Sequence, residues 1–134
     1  LPGRAPASGC TCVAVALNEG HVLDQQRRGV RVPRVAPAPF PPPGVGNGYI
    51  LTFGGLRVYV AGDTENTPEM KALENIDVAF LPMNVPYTMT PAMTAEAAKS
   101  FRPAILYPYH YGQTDTNKLV KLLQNEKDIE VRIR

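Results

Sequence analysis

A chain of 134 residues is long enough for one compact domain with a real core and too short for two full ones. Its 14 basic and 12 acidic residues leave a net charge of +2, without the strong basic stripe of a nucleic-acid binder. No run of about 18 apolar residues is present, which excludes a membrane-spanning helix, and Leu1-Pro2-Gly3-Arg4 opens onto no secretory-type apolar stretch.

The chain begins at Leu1 rather than Met, as a fragment or trimmed sequence would. Cys10 and Cys12 stand one residue apart, a spacing that would strain a disulfide and supplies only half of a zinc site. They read as incidental thiols in a reducing, cytoplasmic setting. Residues 12–17 and 29–35 have the composition of short strands. The second alternates Val30 and Val32 with Arg31 and Arg34, as a half-buried strand does. Residues 1–46 carry five basic and two acidic side chains and eight of the 14 prolines. Five of those prolines fall between Pro37 and Pro43. Proline fixes φ and lacks a backbone donor, so this stretch is expected as extended loop. Residues 1–46 are thus an atypical Pro/Arg-rich segment in which short strands are expected, unlike the regular part, residues 47–134, that follows.

From Gly48 onward the pattern is orderly. Residues 49–53 and 56–61 are β-rich, and Gly54-Gly55 between them signals a two-residue hairpin. Thr67-Pro68 reads as an N-cap followed by proline in the first helical turn, with the helix running to about Glu74. Residues 78–81 form a short buried strand. Thr90-Pro91 repeats the helix start, and Met93, Ala97, Ala98 and Phe101 share one helical face. Residues 105–107 are a strand. Thr114 or Asp115 caps a third helix, with Leu119, Leu122 and Leu123 inward, and residues 129–133 form a last strand. A hairpin followed by three helix–strand units implies an α/β (α+β) layer, a mixed sheet with helices on one face.

Two motifs end strands. One is Ala61-Gly62-Asp63-Thr64, the other Tyr107-Pro108-Tyr109-His110-Tyr111-Gly112. Ligands of open α/β sheets gather at the carboxyl ends of strands. A carboxylate and an imidazole there are donors that zinc and manganese accept. An aspartate after a strand is also a common turn residue, and a histidine among tyrosines a common packing residue. The residues themselves leave both readings open.

These motifs, together with Gly48-Tyr49-Ile50-Leu51-Thr52, Arg57-Val58-Tyr59-Val60, Ile76-Asp77-Val78-Ala79-Phe80-Leu81-Pro82 and Arg102-Pro103, occur in an order that resembles the metallo-β-lactamase superfamily. The branch resembled is that of the metal-dependent hydrolases related to ascorbate-6-phosphate lactonase. The resemblance implies that residues 47–134 are the C-terminal half of an αββα sandwich. It implies that Asp63 matches the carboxylate bridging two metals, zinc or manganese, and that His110 matches the last histidine ligand. It implies hydrolysis of a small-molecule ester, lactone, amide or phosphodiester, with loop residues Asn84, Tyr87, Thr88 and Met89 beside the substrate.

The chain departs from that family in its ligands. The His-x-His-x-Asp-His cluster has no counterpart, and His21 and His110 are the only histidines. Pro41 or a neighbour stands where another histidine ligand would precede the hairpin. The expected protein is a truncated hydrolase, inactive alone, with an incomplete metal site or none. The alternative is a non-catalytic half-sandwich used for self-association or binding. Either way a bare sheet face is expected to form a homodimer, with no nucleic-acid or membrane partner.

Overall fold

The computed structural model describes residues 10–16, 21–24, 30–31 and 47–134. Eight strands form one sheet in the order β3-β2-β1-β4-β5-β6-β7-β8. They are β1 (Cys10–Ala16), β2 (His21–Asp24), β3 (Val30–Arg31), β4 (Asn47–Phe53), β5 (Leu56–Val60), β6 (Val78–Pro82), β7 (Ile105–Tyr109) and β8 (Glu130–Val131). Strands β3 through β5 pair antiparallel, and β5 through β8 pair parallel. The sheet is therefore mixed, as the element pattern implies.

The hairpin lies at its expected place. Phe53 pairs with Leu56, and Gly54 and Gly55 turn the chain at φ 54° and 93°. Two consecutive positive φ values suit a tight hairpin loop that few side chains tolerate. The three parallel crossovers carry α1 (Pro68–Lys71), α2 (Pro91–Phe101) and α3 (Thr116–Leu123). Each starts on a side-chain cap. Thr67 accepts from the Met70 amide at 3.3 Å, Thr90 from Met93 at 3.2 Å, and Asp115 from Asn117 at 3.0 Å. Asp115, not Thr114, is thus the third cap. Arg102 closes α2 in the left-handed region (φ 47°), and its guanidinium holds Glu126 at 3.1 Å and Asp128 at 2.9 Å.

Right-handed crossovers between consecutive parallel strands place all three helices on one face. Burial along the strands agrees. Ile50, Tyr59, Ala79, Leu81 and Leu106 alternate inward and pack with Met70, Ala97, Ala98, Phe101, Leu119 and Leu123 of the helices. Tyr59 meets Phe101 edge-on, with ring centroids 6.0 Å apart. The opposite face is apolar but open. Tyr49 and Phe53 are 41% and 47% exposed, and Phe80 and Tyr107 stack there with centroids 5.0 Å apart.

Five sequence expectations change. Helix α1 ends at Lys71 rather than near Glu74, because Leu73 bonds back three residues to Met70 and Asn75 turns at φ 56° toward the buried Ile76. Leu122 is 43% exposed, since α3 turns only Leu119 and Leu123 onto the sheet. The last strand shrinks to Glu130–Val131, where pairing with β7 ends. Strand β1 starts at Cys10, two residues early, and pairs with β4 along seven positions. Strand β2 has no counterpart in the sequence reading. Leu17 and residues 32–35 of the expected early strands lie outside the described residues, as does the proline-rich stretch around Pro41.

Tyr59 is fully buried, and its hydroxyl has no hydrogen-bond partner among the described residues. Burial raises its pKa, and the nearby Tyr109 and Glu69 push the same way. Below about pH 10 folded and unfolded chains both keep this proton; above it the unfolded chain binds fewer protons than the native one. Stability therefore falls with rising pH, by up to about 1.4 kcal/mol per pH unit from this group. Tyr59→Phe is expected to flatten the alkaline decline in denaturant-measured stability. Superimposable pH profiles for the two proteins would refute this account.

Candidate functional site

Strands β5, β6 and β7 run parallel with β6 in the middle, so their carboxyl ends share one edge. The Ala61 amide bonds to the Phe80 carbonyl at 3.0 Å, extending the β5–β6 pairing one step. Gly62 then turns at φ 70°, which directs Asp63 off the sheet end. On the other side the Met83 amide bonds to the Tyr109 carbonyl at 3.1 Å, and His110 breaks from β7 at φ 50°. A positive φ at a non-glycine residue is uncommon and needs support from its surroundings. Asp63 supplies that support: its Oδ1 lies 2.9 Å from His110 Nδ1.

The two residues singled out in the sequence, 47 positions apart, are therefore brought together above the end of β6. Both remain accessible, with side-chain exposures of 65% for Asp63 and 45% for His110. The contact occupies one oxygen and one nitrogen. Asp63 Oδ2 and His110 Nε2 have no hydrogen-bond partner among the described residues. Tyr109 borders the pair; burial raises its pKa and the charge of Asp63 adds to the rise, against a backbone bond at Gly62.

Strand β6 delivers the third component. Asn84 reaches the turn after His110, where a side chain built onto Gly112 would begin 3.6 Å from Asn84 Oδ1. The Asn84–Thr88 loop is braced internally. The Asn84 amide donates to the Thr88 hydroxyl at 2.7 Å, and the Thr88 amide to the Asn84 carbonyl at 2.7 Å. Thr88 is consequently buried and engaged by the loop itself, and Met89 is buried in the core. Tyr87 projects outward at 74% exposure, and Val85 beside it at 50%. Of the expected substrate-loop residues, Asn84 lies by the Gly112 turn that follows His110, Tyr87 stands in solvent and Thr88 shapes the loop.

An oxygen and an imidazole nitrogen are donors suited to zinc or manganese. Their number is short: among the described residues no group of three or more His, Cys, Asp or Glu is gathered for a metal ion. A catalytic zinc takes three protein ligands. A stable metal centre here requires at least one donor beyond the described residues. Sequence reading missed the tyrosine border and the contact of Asn84 with the Gly112 turn; the Tyr-x-Tyr spacing around Pro108 was their only local signal.

A family model for a beta-lactamase superfamily domain matches residues 13–110. A UPF0173 metal-dependent hydrolase of Symbiobacterium thermophilum is 36% identical over 93 residues, covering 65% of this chain and 39% of its own. One from Aeropyrum pernix is 36% identical over 101 residues, covering 73% and 41%. Among solved structures, a candidate metal-dependent hydrolase of Parabacteroides distasonis superimposes with a TM-score of 0.67 at 60% identity, covering 69% of this chain and 42% of that one. Igni18, a metallo hydrolase of Ignicoccus hospitalis, gives 0.61 at 32% identity, covering 69% and 43%. The chain thus spans about two fifths of the length of the relatives it matches. No helix among the described residues is long and apolar enough to cross a membrane. With the family model spanning most of the sequence and the Asp63–His110 pair at the strand ends, the chain belongs to the metallo-β-lactamase superfamily.

Proposed function

We propose that this chain contributes Asp63 and His110 to a metal-dependent hydrolase site that is inactive alone and is completed by donors on another polypeptide segment. The observation that carries this reading is the 2.9 Å Asp63–His110 contact at the joint carboxyl end of three parallel strands. Asp63 and His110 hold the metal, zinc or manganese. When bound, such an ion lowers the pKa of water and polarises the group to be cleaved. Asn84 and Tyr87 contact a small-molecule substrate, and Thr88 keeps their loop in place. The thiols Cys10 and Cys12, one residue apart, fit a reducing, cytoplasmic compartment.

The test is metal content per chain after dialysis with zinc or manganese. The isolated chain is expected to retain little metal. Adding the unmatched portion of the Symbiobacterium relative is expected to raise it toward stoichiometry and to permit hydrolysis of an ester, lactone or phosphodiester. Failure of any such segment to promote metal uptake would overturn the proposal.

A second reading rests on the open sheet face, where Tyr49, Phe53 and the Phe80–Tyr107 stack remain accessible. Apolar patches of this kind commonly become interfaces. The chain is then a non-catalytic module that pairs with a second copy face to face about a two-fold axis. Light scattering at micromolar concentration is expected to give twice the 14.6 kDa chain mass. A Phe80→Glu variant should be monomeric. A stable monomer of the unaltered chain excludes this reading.

A further inference from the structure

Asp63 stands on the loop that leaves β5 and enters α1. Both ends of this loop are fixed: the Ala61 amide bonds to the Phe80 carbonyl at 3.0 Å, and Thr67 caps α1. Between them the loop folds on itself. The Thr64 hydroxyl donates to the Glu65 carbonyl at 3.0 Å, and the Thr67 amide donates to the same carbonyl at 2.9 Å. Among the described residues, the segment 63–66 hydrogen-bonds to other elements at two points. Its first residue, Asp63, meets His110; the side-chain nitrogen of its last, Asn66, donates to Glu96 Oε2 at 2.8 Å.

Glu96 lies in α2, outside the strand-end site. Its other oxygen, Oε1, holds Lys71 Nζ of α1 at 3.0 Å. One carboxylate thus ties both the Asp63 loop and α1 to α2. An ionised carboxylate only accepts, so the Asn66 amide must present its nitrogen to it. The ion pair with Lys71 already restrains the Glu96 side chain, which lessens the entropy lost in holding Asn66 as well. These contacts belong to the helical layer, so they do not depend on what covers the opposite face of the sheet.

We infer that Glu96 is a positioning residue: through Asn66 it fixes the loop that presents Asp63 to His110 and to a metal ion. Ligand groups must be held within about 0.5 Å of their working geometry by surroundings that lock them. Asp63 has little such support of its own, being 65% exposed and hydrogen-bonded through its side chain only to His110 among the described residues. Two exposed side chains on two loops are only as well placed as the loops that carry them. The inference rests on the hydrolase reading for the metal alone; the contact of Asp63 with His110 is followed without one.

The test is nitrogen NMR of the His110 ring in the full chain without metal. Asp63 Oδ1 lies at Nδ1, so the neutral ring is expected to carry its proton there, and the form protonated on Nε2 marks a lost contact. Glu96→Ala and Asn66→Ala should each shift the ring toward that second form, and the double variant should go no further than either alone. Glu96→Gln keeps an oxygen for Asn66 and should stay close to the parent. Lys71→Met removes the ion pair but not the contact with Asn66, and should shift the ring less than Asn66→Ala. Urea unfolding should change little, since Glu96 is exposed and Asn66 and Lys71 are half-buried. In the complemented chain, zinc affinity should fall about tenfold in both alanine variants, the lower end of losses for residues that support a ligand. A His110 spectrum unchanged in both alanine variants would overturn the inference. Equal shifts in Lys71→Met and Asn66→Ala would assign Glu96 to helix docking alone and overturn it as well. Unchanged zinc affinity in a parent that binds zinc would overturn the role at the metal. A complemented parent that takes up no zinc would sink only the hydrolase reading, because the ring spectra still decide this one.

Discussion

Asp63→Ala, in the chain complemented by a donor segment, is expected to lower metal affinity by at least about 100-fold, the upper end of losses seen even for residues that merely support a ligand. The stability of the fold should hardly change. Asp63 is 65% exposed and its only side-chain hydrogen bond among the described residues is with His110, and exposed pairs of this kind contribute about 1 kcal/mol at most. Asp63→Asn separates two explanations. An asparagine keeps an oxygen that can accept from His110 Nδ1 but loses the negative charge and one of the two carboxylate oxygens. If Asp63 only orients the turn, Asp63→Asn should keep the metal. If it is a ligand, both variants should lose it, as should His110→Ala. Metal per chain after dialysis decides this, with denaturant unfolding as the check on folding. Retention of stoichiometric metal by Asp63→Asn would remove Asp63 from the ligand set.

Features that depend on short-range chemistry were readable in the sequence. Thr67-Pro68 and Thr90-Pro91 start helices because a hydroxyl caps the amides and proline needs no donor there. Gly54-Gly55 makes the hairpin because both residues need positive φ. The end of α1 was not legible, since it depends on bringing Ile76 into the core. Strand β2 follows only from its pairing with β1 and β3. The same division holds at the site. Asp63 and His110 stood out singly as strand-end residues, but their contact requires β5 and β7 to flank β6. The hydrogen bond of the Tyr111 hydroxyl to the Arg134 carbonyl was not visible at all, because it joins residues 23 positions apart.

Helix α3 offers the sharpest test of the packing, since two leucines three residues apart have opposite surroundings. Leu119 is fully buried against the sheet, and Leu122 is 43% exposed. Leu and Ala have similar helix propensities, so the same substitution at the two sites differs mainly in burial. Leu119→Ala removes core volume that the β-sheet beneath cannot readily refill, and is expected to destabilise by about 3 kcal/mol. That is a large part of the 5–15 kcal/mol that holds a typical domain folded, roughly. Leu122→Ala should stay within about 0.5 kcal/mol of the parent. Urea unfolding of the two variants, with unchanged m-values, would measure both. The reading of all three leucines as inward, made from spacing alone, requires similar losses at both positions. A loss of more than about 2 kcal/mol at Leu122 would restore it, because an exposed leucine has no such cavity to leave behind. It would also mean that the outer side of α3 is covered by a partner, since a side chain already in water has little apolar area left to lose.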